Sequence, residues 1–267
     1  MPLNAEIRHT AARLVRGAVR LALRVEVSRL EDELRALREQ QAADTQRIID
    51  HLRDLEIRDR RDLYAAGERA AVAESARWAA ENLVGARSFG HPHETLRHAL
   101  SLAPTGGLAL EFGVFQGATL RIIAEARGGR EVYGFDSFEG LPEDWRVGFP
   151  AGAFGVDGLP DVPGATLVQG WFDQTLPGFL AEHPGPVDLL HVDGDLYSSA
   201  ATVLELVGPR LRPGSIVQFD EYLNYPGWQE HEHRAWTEHV ARTGVTFEPV
   251  AFTHDHEQVA VRITGTD

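Results

Sequence analysis

Residues 108–117 read Leu108-Ala109-Leu110-Glu111-Phe112-Gly113-Val114-Phe115-Gln116-Gly117: a short apolar run, an acid, and a glycine-rich turn. The same grammar returns three times. The run EVYGFD closes on Asp136, VDLLHVD closes on Asp193, and SIVQFDE closes on Asp220 and Glu221. Short apolar runs alternating with helical stretches predict a mostly parallel sheet covered on both faces. Ligands of such sheets bind beyond the carboxyl ends of the strands. Acids at four strand ends therefore predict a site for polar hydroxyls or a metal ion, as a nucleoside-binding enzyme needs.

Working outward, strands are expected at 108–112, 131–135, 165–169, 187–192 and 214–219. A helix follows at about 227–242, then strands at 245–252 and 257–263 split by Thr253-His254-Asp255-His256. The expected architecture is α/β: a mostly parallel seven-stranded sheet closing in an antiparallel terminal hairpin. Residues 139–164 are rich in glycine and proline and read as a long loop beside the site, placed to act as a lid.

Residues 1–84 differ in character, with one proline (Pro2) and two glycines (Gly17, Gly67). Leu23, Val27, Leu30, Leu34 and Leu37 are spaced four and three apart. The pattern lapses at Gln41 and Asp44 and resumes at Ile48, Leu52 and Leu55. Such a narrow heptad seam predicts a coiled coil and a homodimer formed through this arm. The alternative is one long amphipathic helix lying on the domain that follows. The expected division is thus a helical arm over 1–84 and a ligand-binding domain over 85–267. Arg13, Arg16, Arg20 and Arg24 line the first turns, a basic face that can rest on an anionic membrane surface, although a solvated helical arm is the favoured reading.

The 267 residues carry a net charge of −14, which disfavours nucleic acid and other polyanions as partners. Cysteine is absent, which excludes disulfides, thiolate catalysis and zinc–sulfur sites. All 26 basic residues are arginine, so a Schiff base, a phosphate-loop lysine and a lysine general base are excluded too. No signal-peptide pattern and no apolar run long enough to span a membrane appear, and a cytoplasmic location is the default expectation.

The individual motifs sharpen the chemistry. A dinucleotide turn would read G-x-G-x-x-G, but here Gly113 and Gly117 are four apart and Glu111 stands two before the first. A carboxylate there repels a pyrophosphate and suits a cationic amino group, which counts against a nicotinamide oxidoreductase. Asp136, about twenty residues on, stands where an acid accepts hydrogen bonds from ribose hydroxyls. Asp193, Asp220 and Glu221 end neighbouring strands and converge on a point where oxygen ligands suit Mg²⁺ or another divalent cation. His254 and His256 are second-rank catalytic candidates. His231 and His233, two apart on a helix, share no face and read as surface residues. Trp171, Phe172, Tyr225 and Trp228 read more readily as core residues, although Trp171 and Phe172, at a strand end, could stack on an adenine.

Four segments carry a family resemblance: EFGVFQG (111–117), DSFEGLP (136–142), GWFDQTLP (170–177) and HVDGDLYSS (191–199). Together they resemble the class I S-adenosylmethionine-dependent methyltransferases of the macrocin O-methyltransferase type, which methylate sugar hydroxyls with a divalent metal. The resemblance implies a Rossmann-like fold, and it places Glu111, Gly113 and Gly117 along the methionine end of S-adenosylmethionine. It assigns the ribose to Asp136, the adenine flanks to Ser137 and Phe138, and the closure of the adenine pocket to Gly170, Trp171 and Phe172. Asp193 is implied as cofactor neighbour, metal ligand and base, with Asp220 and Glu221 completing a Mg²⁺ site. The chain departs from the pattern at Glu221, where the family has Asp, and the N-terminal arm is not part of it. The implied activity is O-methyl transfer to a glycoside, glycan or natural product. A metal-independent small-molecule methyltransferase and a non-catalytic cofactor-binding scaffold are the alternatives.

Overall fold

The computed structural model describes residues 3–265 and divides into two compact units, 1–65 and 66–267. In the first unit, α1 (Leu3–Arg61) is one continuous helix of 59 residues. Ion pairs one turn apart run along it, among them Arg29–Glu33 at 3.0 Å and Arg60–Glu56 at 2.6 Å. Every apolar residue of the seam from Leu23 to Leu55 is exposed. The helix stops at Asp62, whose carboxylate accepts from the backbone N–H of Tyr64 and Ala65 and caps α2 (Leu63–Asn82).

The second unit takes in most of α2. Ala71 and Ser75 are buried, and Trp78 packs on the core. The unit boundary therefore falls at residue 65, not near 84: the small and aromatic residues after Gly67 pack as core, whereas the seam before them does not.

The sheet has eight strands, one more than expected, ordered β1-β7-β8-β6-β5-β2-β3-β4. These are β1 (Arg87–Phe89), β2 (Leu108–Phe112), β3 (Val132–Asp136), β4 (Thr166–Gln169), β5 (Val187–Val192), β6 (Leu211–Phe219), β7 (Thr246–Thr253) and β8 (Val259–Gly265). The added strand is β1, three residues paired parallel to β7 in the turn region after α2. All pairings are parallel except those of β8, which runs antiparallel to both β6 and β7. The helices α3 (Pro92–Leu102), α4 (Ala118–Arg127), α5 (Phe172–Glu182), α6 (Tyr197–Val207) and α7 (Glu232–Thr243) link the strands.

Strands β2 and β5 are buried along their whole length. Leu110, Phe112, Leu190, Val192, Val217 and Phe219 fill one face, and Ala109, Leu189 and Ile216 fill the other. This alternation follows from the two-residue period of a strand. It carries the backbone outward so that β2, β3, β5 and β6 end at one rim.

Candidate active site

The rim is closed by backbone hydrogen bonds between strand ends. Gly113 N–H donates to Phe135 C=O at 2.9 Å, Asp193 N–H to Phe112 C=O at 2.8 Å, and Asp220 N–H to Val192 C=O at 2.9 Å. Gly113 adopts a left-handed φ of 98°, and a Cβ there would run into the carbonyl of Asp193, so no other residue fits this crossing.

Above the rim lies a cavity of about 540 Å³, within the usual range for small-molecule sites. Gly113, Asp136, Ser137, Trp171, Phe172, Asp193 and Glu221 all line it. Asp136 also organises the wall: its carboxylate accepts from the backbone N–H of Val114 (2.8 Å), Phe115 (2.8 Å) and Phe138 (2.7 Å). The loop 139–164 contributes Gly140, Leu141, Pro142 and Phe154 to the wall. It is tied down by Arg146 to Glu257 at 2.9 and 3.3 Å and by Ser198 to Glu143 at 2.9 Å.

Other expected site residues stand behind the wall. Glu111 is fully buried beneath it, accepting from Thr119 Oγ1 at 3.2 Å and lying 3.1 Å from His191 Nδ1. Gly117 caps α4 in a left-handed conformation, Phe138 is buried in the core, and Gly170 donates its N–H to Asp136 C=O. Asp220 is half-buried, 3.4 Å from His191 Nε2, and accepts from Gln258 Nε2 at 3.1 Å.

His254 is not brought to the cavity. The register pairs Thr253 with Phe89 at the far edge of the sheet, so His254 stands exposed there with Ser88 Oγ at 3.1 Å. His256 is likewise exposed, against Asp255. His231 and His233 are half-buried, contrary to the expected surface placement. A single 3-10 turn at 228–230 delays α7 to Glu232 and folds both imidazoles inward. His233 packs against Trp78, Tyr222 and Trp228, and His231 lies near Trp145 and Tyr225.

Sequence reading missed three functional candidates. Asp195 is buried on the cavity wall in a left-handed conformation (φ 61°). Its signal was the second acid of Asp193-Gly194-Asp195. Glu232 is fully buried and accepts from Glu221 N–H at 3.0 Å; it was hidden between two histidines read as exposed. His191 is fully buried two residues before Asp193, hence on the same side of β5.

The electrostatics follow from crowding. Burial, then the charge of Asp220, pushes Asp193 well above the usual carboxylate range, with His191 opposing. Burial, then Asp195 and Asp220, does the same to Glu221, and burial does so to Glu232. Asp195 is raised to about 7 by burial and Asp220, with Arg146 opposing. Burial alone would depress His191, but hydrogen bonds to Asp220 and Glu111 outweigh it and hold the imidazole well above its ordinary value.

This donor set fits a divalent cation. Donor atoms of His191, Asp193 and Asp220 lie within 4.8 Å of one another, but both His191 nitrogens are turned to Glu111 and Asp220, which leaves the carboxylates of Asp193, Asp220 and the adjoining Glu221 to face an ion. Glu221 Oε2 and Glu232 Oε1 are buried without a hydrogen-bond partner among the described residues. Crowded carboxylates with orphaned oxygens call for a proton or a cation, and carboxylate oxygen suits Mg²⁺.

Residues 110–222 match a protein-family model described as a methyltransferase domain. Over that segment the chain is similar to a methyltransferase domain. A curated relative, the 8-demethyl-8-(2,3-dimethoxy-alpha-L-rhamnosyl)-tetracenomycin-C 4'-O-methyltransferase of Streptomyces olivaceus, is 31% identical over 169 residues. The match covers 54% of this chain and 63% of that relative. Among solved structures, the calicheamicin methyltransferase CalS11 is similar at 29% identity and a TM-score of 0.49, covering 64% of this chain and 76% of its own. The O-methyltransferase NovP is similar at 25% identity and a TM-score of 0.49, covering 64% and 79%.

Proposed function

We propose that this protein is an S-adenosylmethionine-dependent O-methyltransferase acting on a sugar hydroxyl of a glycoside, glycan or natural product, with a divalent cation assisting. One observation carries this reading. A single cavity at the strand ends of a methyltransferase domain holds a nucleoside-type wall (Asp136, Ser137, Trp171, Phe172) beside a carboxylate cluster (Asp193, Asp195, Glu221). The rhamnosyl acceptor in the relative's name supports a sugar as substrate.

When bound, S-adenosylmethionine supplies a methyl group on sulfonium, and its transfer to the acceptor oxygen is an in-line displacement that leaves S-adenosylhomocysteine. The chain's work is then to position both partners and take one proton. Trp171 and Phe172 would wall the adenine, Asp136 would face the ribose, and the turn 113–117 would lie along the methionine end. Asp193, Asp220 and Glu221 are the residues that would hold the cation, which would supply Lewis acidity toward an acceptor hydroxyl. Asp195, on the wall with a carboxyl raised to about 7, takes the hydroxyl proton. The proton-accepting role passes from Asp193 to Asp195 because Asp193 sits among the donors that would face the ion.

The exposed seam of α1 supports pairing of two copies through this arm. The function is tested by methyl transfer to a panel of glycosides and nucleotide sugars, with EDTA and with Mg²⁺. Transfer abolished by EDTA and restored by Mg²⁺ is expected. Undiminished transfer in EDTA identifies the metal-independent alternative, and cofactor binding without transfer identifies a scaffold.

A further inference from the structure

Glu111, His191 and Gln218 are register partners on β2, β5 and β6, all buried in one row across the sheet. A buried histidine must satisfy both ring nitrogens. His191 turns Nδ1 to Glu111 Oε2 at 3.1 Å and Nε2 to Asp220 Oδ1 at 3.4 Å. The row continues at both ends. Thr119, in the first turn of α4, donates to Glu111 Oε1 at 3.2 Å, and Gln258, just before β8, donates to Asp220 Oδ2 at 3.1 Å.

Thr119, Glu111, His191, Asp220 and Gln258 thus form one polar run of five side chains beneath the cavity floor, with Gln218 beside it, its Nε2 3.5 Å from His191 Nε2. Burying such a run costs free energy unless every member finds a partner, and the positions flanking it on these strands are apolar. Its placement gives it a use. Glu111 leads into the turn whose Gly113 and Phe115 line the cavity, while Asp220 belongs to the carboxylate cluster.

We propose that His191 is a positioning residue shared by both halves of the site. Through Glu111 it fixes the β2–α4 turn against which the methyl donor lies, and through Asp220 it fixes the carboxylates that hold the ion. The inference rests on the S-adenosylmethionine and divalent-ion reading above. Residues that orient first ligands in this way change affinity by roughly 10–100-fold when removed.

The test is calorimetric titration of the full chain with S-adenosylhomocysteine and, separately, with Mg²⁺. His191→Asn, too short to span both carboxylates, is expected to weaken each Kd by about tenfold or more. Thr119→Val, at one end, is expected to weaken S-adenosylhomocysteine alone, and Gln258→Leu, at the other, Mg²⁺ alone. These two variants carry the test if His191→Asn does not fold. A folded His191→Asn that keeps either Kd within about twofold of wild type overturns the proposal; so do end variants that leave both unchanged. Wild type that binds S-adenosylhomocysteine but not Mg²⁺ overturns the Asp220 arm. Wild type that binds neither overturns the functional reading itself.

Discussion

The backbone N–H of Glu221 donates to the carboxylate of Glu232 at 3.0 Å, so the start of α7 fixes the end of β6. Both carboxyl groups are buried, and each keeps one oxygen without a partner. Glu232→Leu strands the Glu221 N–H in the interior, at a cost of about 1–3 kcal/mol. Urea unfolding in EDTA is expected to show that loss, whereas Glu232→Gln, which keeps an acceptor, stays within about 1 kcal/mol of wild type.

Arg146 joins the 139–164 loop to Glu257 and lies over the rings of Trp145 (4.0 Å) and Tyr225 (4.6 Å). Arg146→Ala removes the ion pair and the stacked guanidinium together. Acceptor kcat/KM is expected to fall about tenfold, since misplacing the wall of a site degrades alignment of the reacting atoms. Arg146→Lys, which keeps the charge but loses the planar fork, is expected to recover only part of it. Steady-state kinetics of the two variants checks this.

Asp195 sets a pH dependence. It must be ionised to accept a proton, so kcat is expected to fall as pH drops through its titration, and a cation held at Asp193 and Asp220 is expected to bring that midpoint below the value of about 7 that burial and Asp220 set without it. Asp195→Asn is expected to abolish turnover while leaving S-adenosylhomocysteine binding in place. The stability sign runs the other way: the folded state holds this proton more tightly than the unfolded chain. Without divalent ion, stability is expected to decline as pH rises from about 4 to about 7. Thermal unfolding across that window, with wild type and Asp195→Asn, reads the difference.

The seam of α1 makes a separate prediction. Leu30 and Leu34 are half exposed, at 54% and 48%. Replacing both by Asp is expected to convert a dimer to a monomer in light scattering while preserving the fold of residues 66–267. An unchanged mass contradicts pairing through this arm.

The sheet was legible because apolar runs closing on Glu111, Asp136, Asp193 and Asp220 are long enough to mark buried strands. Arg87–Phe89 was not, because three residues with two exposed carry no periodicity and pair only through tertiary placement beside β7. Strand-end acids were readable as a group, yet their division of labour was not. Whether Glu111 lies in the cavity or under it depends on His191, two strands' worth of register away in sequence. Glu232 escaped notice because its burial comes from the delayed start of α7 and leaves no mark in its neighbours.

The central claim is that a methyl group passes directly from S-adenosylmethionine to a sugar hydroxyl in this cavity while Asp195 takes the hydroxyl proton. The most direct measurement is mass spectrometry of a rhamnosyl-glycoside panel incubated with the full chain, S-adenosylmethionine and Mg²⁺, beside Asp195→Asn. The account predicts an O-methylated sugar with wild type and none with the variant. No methylated sugar from wild type, or equal product from Asp195→Asn, would contradict it.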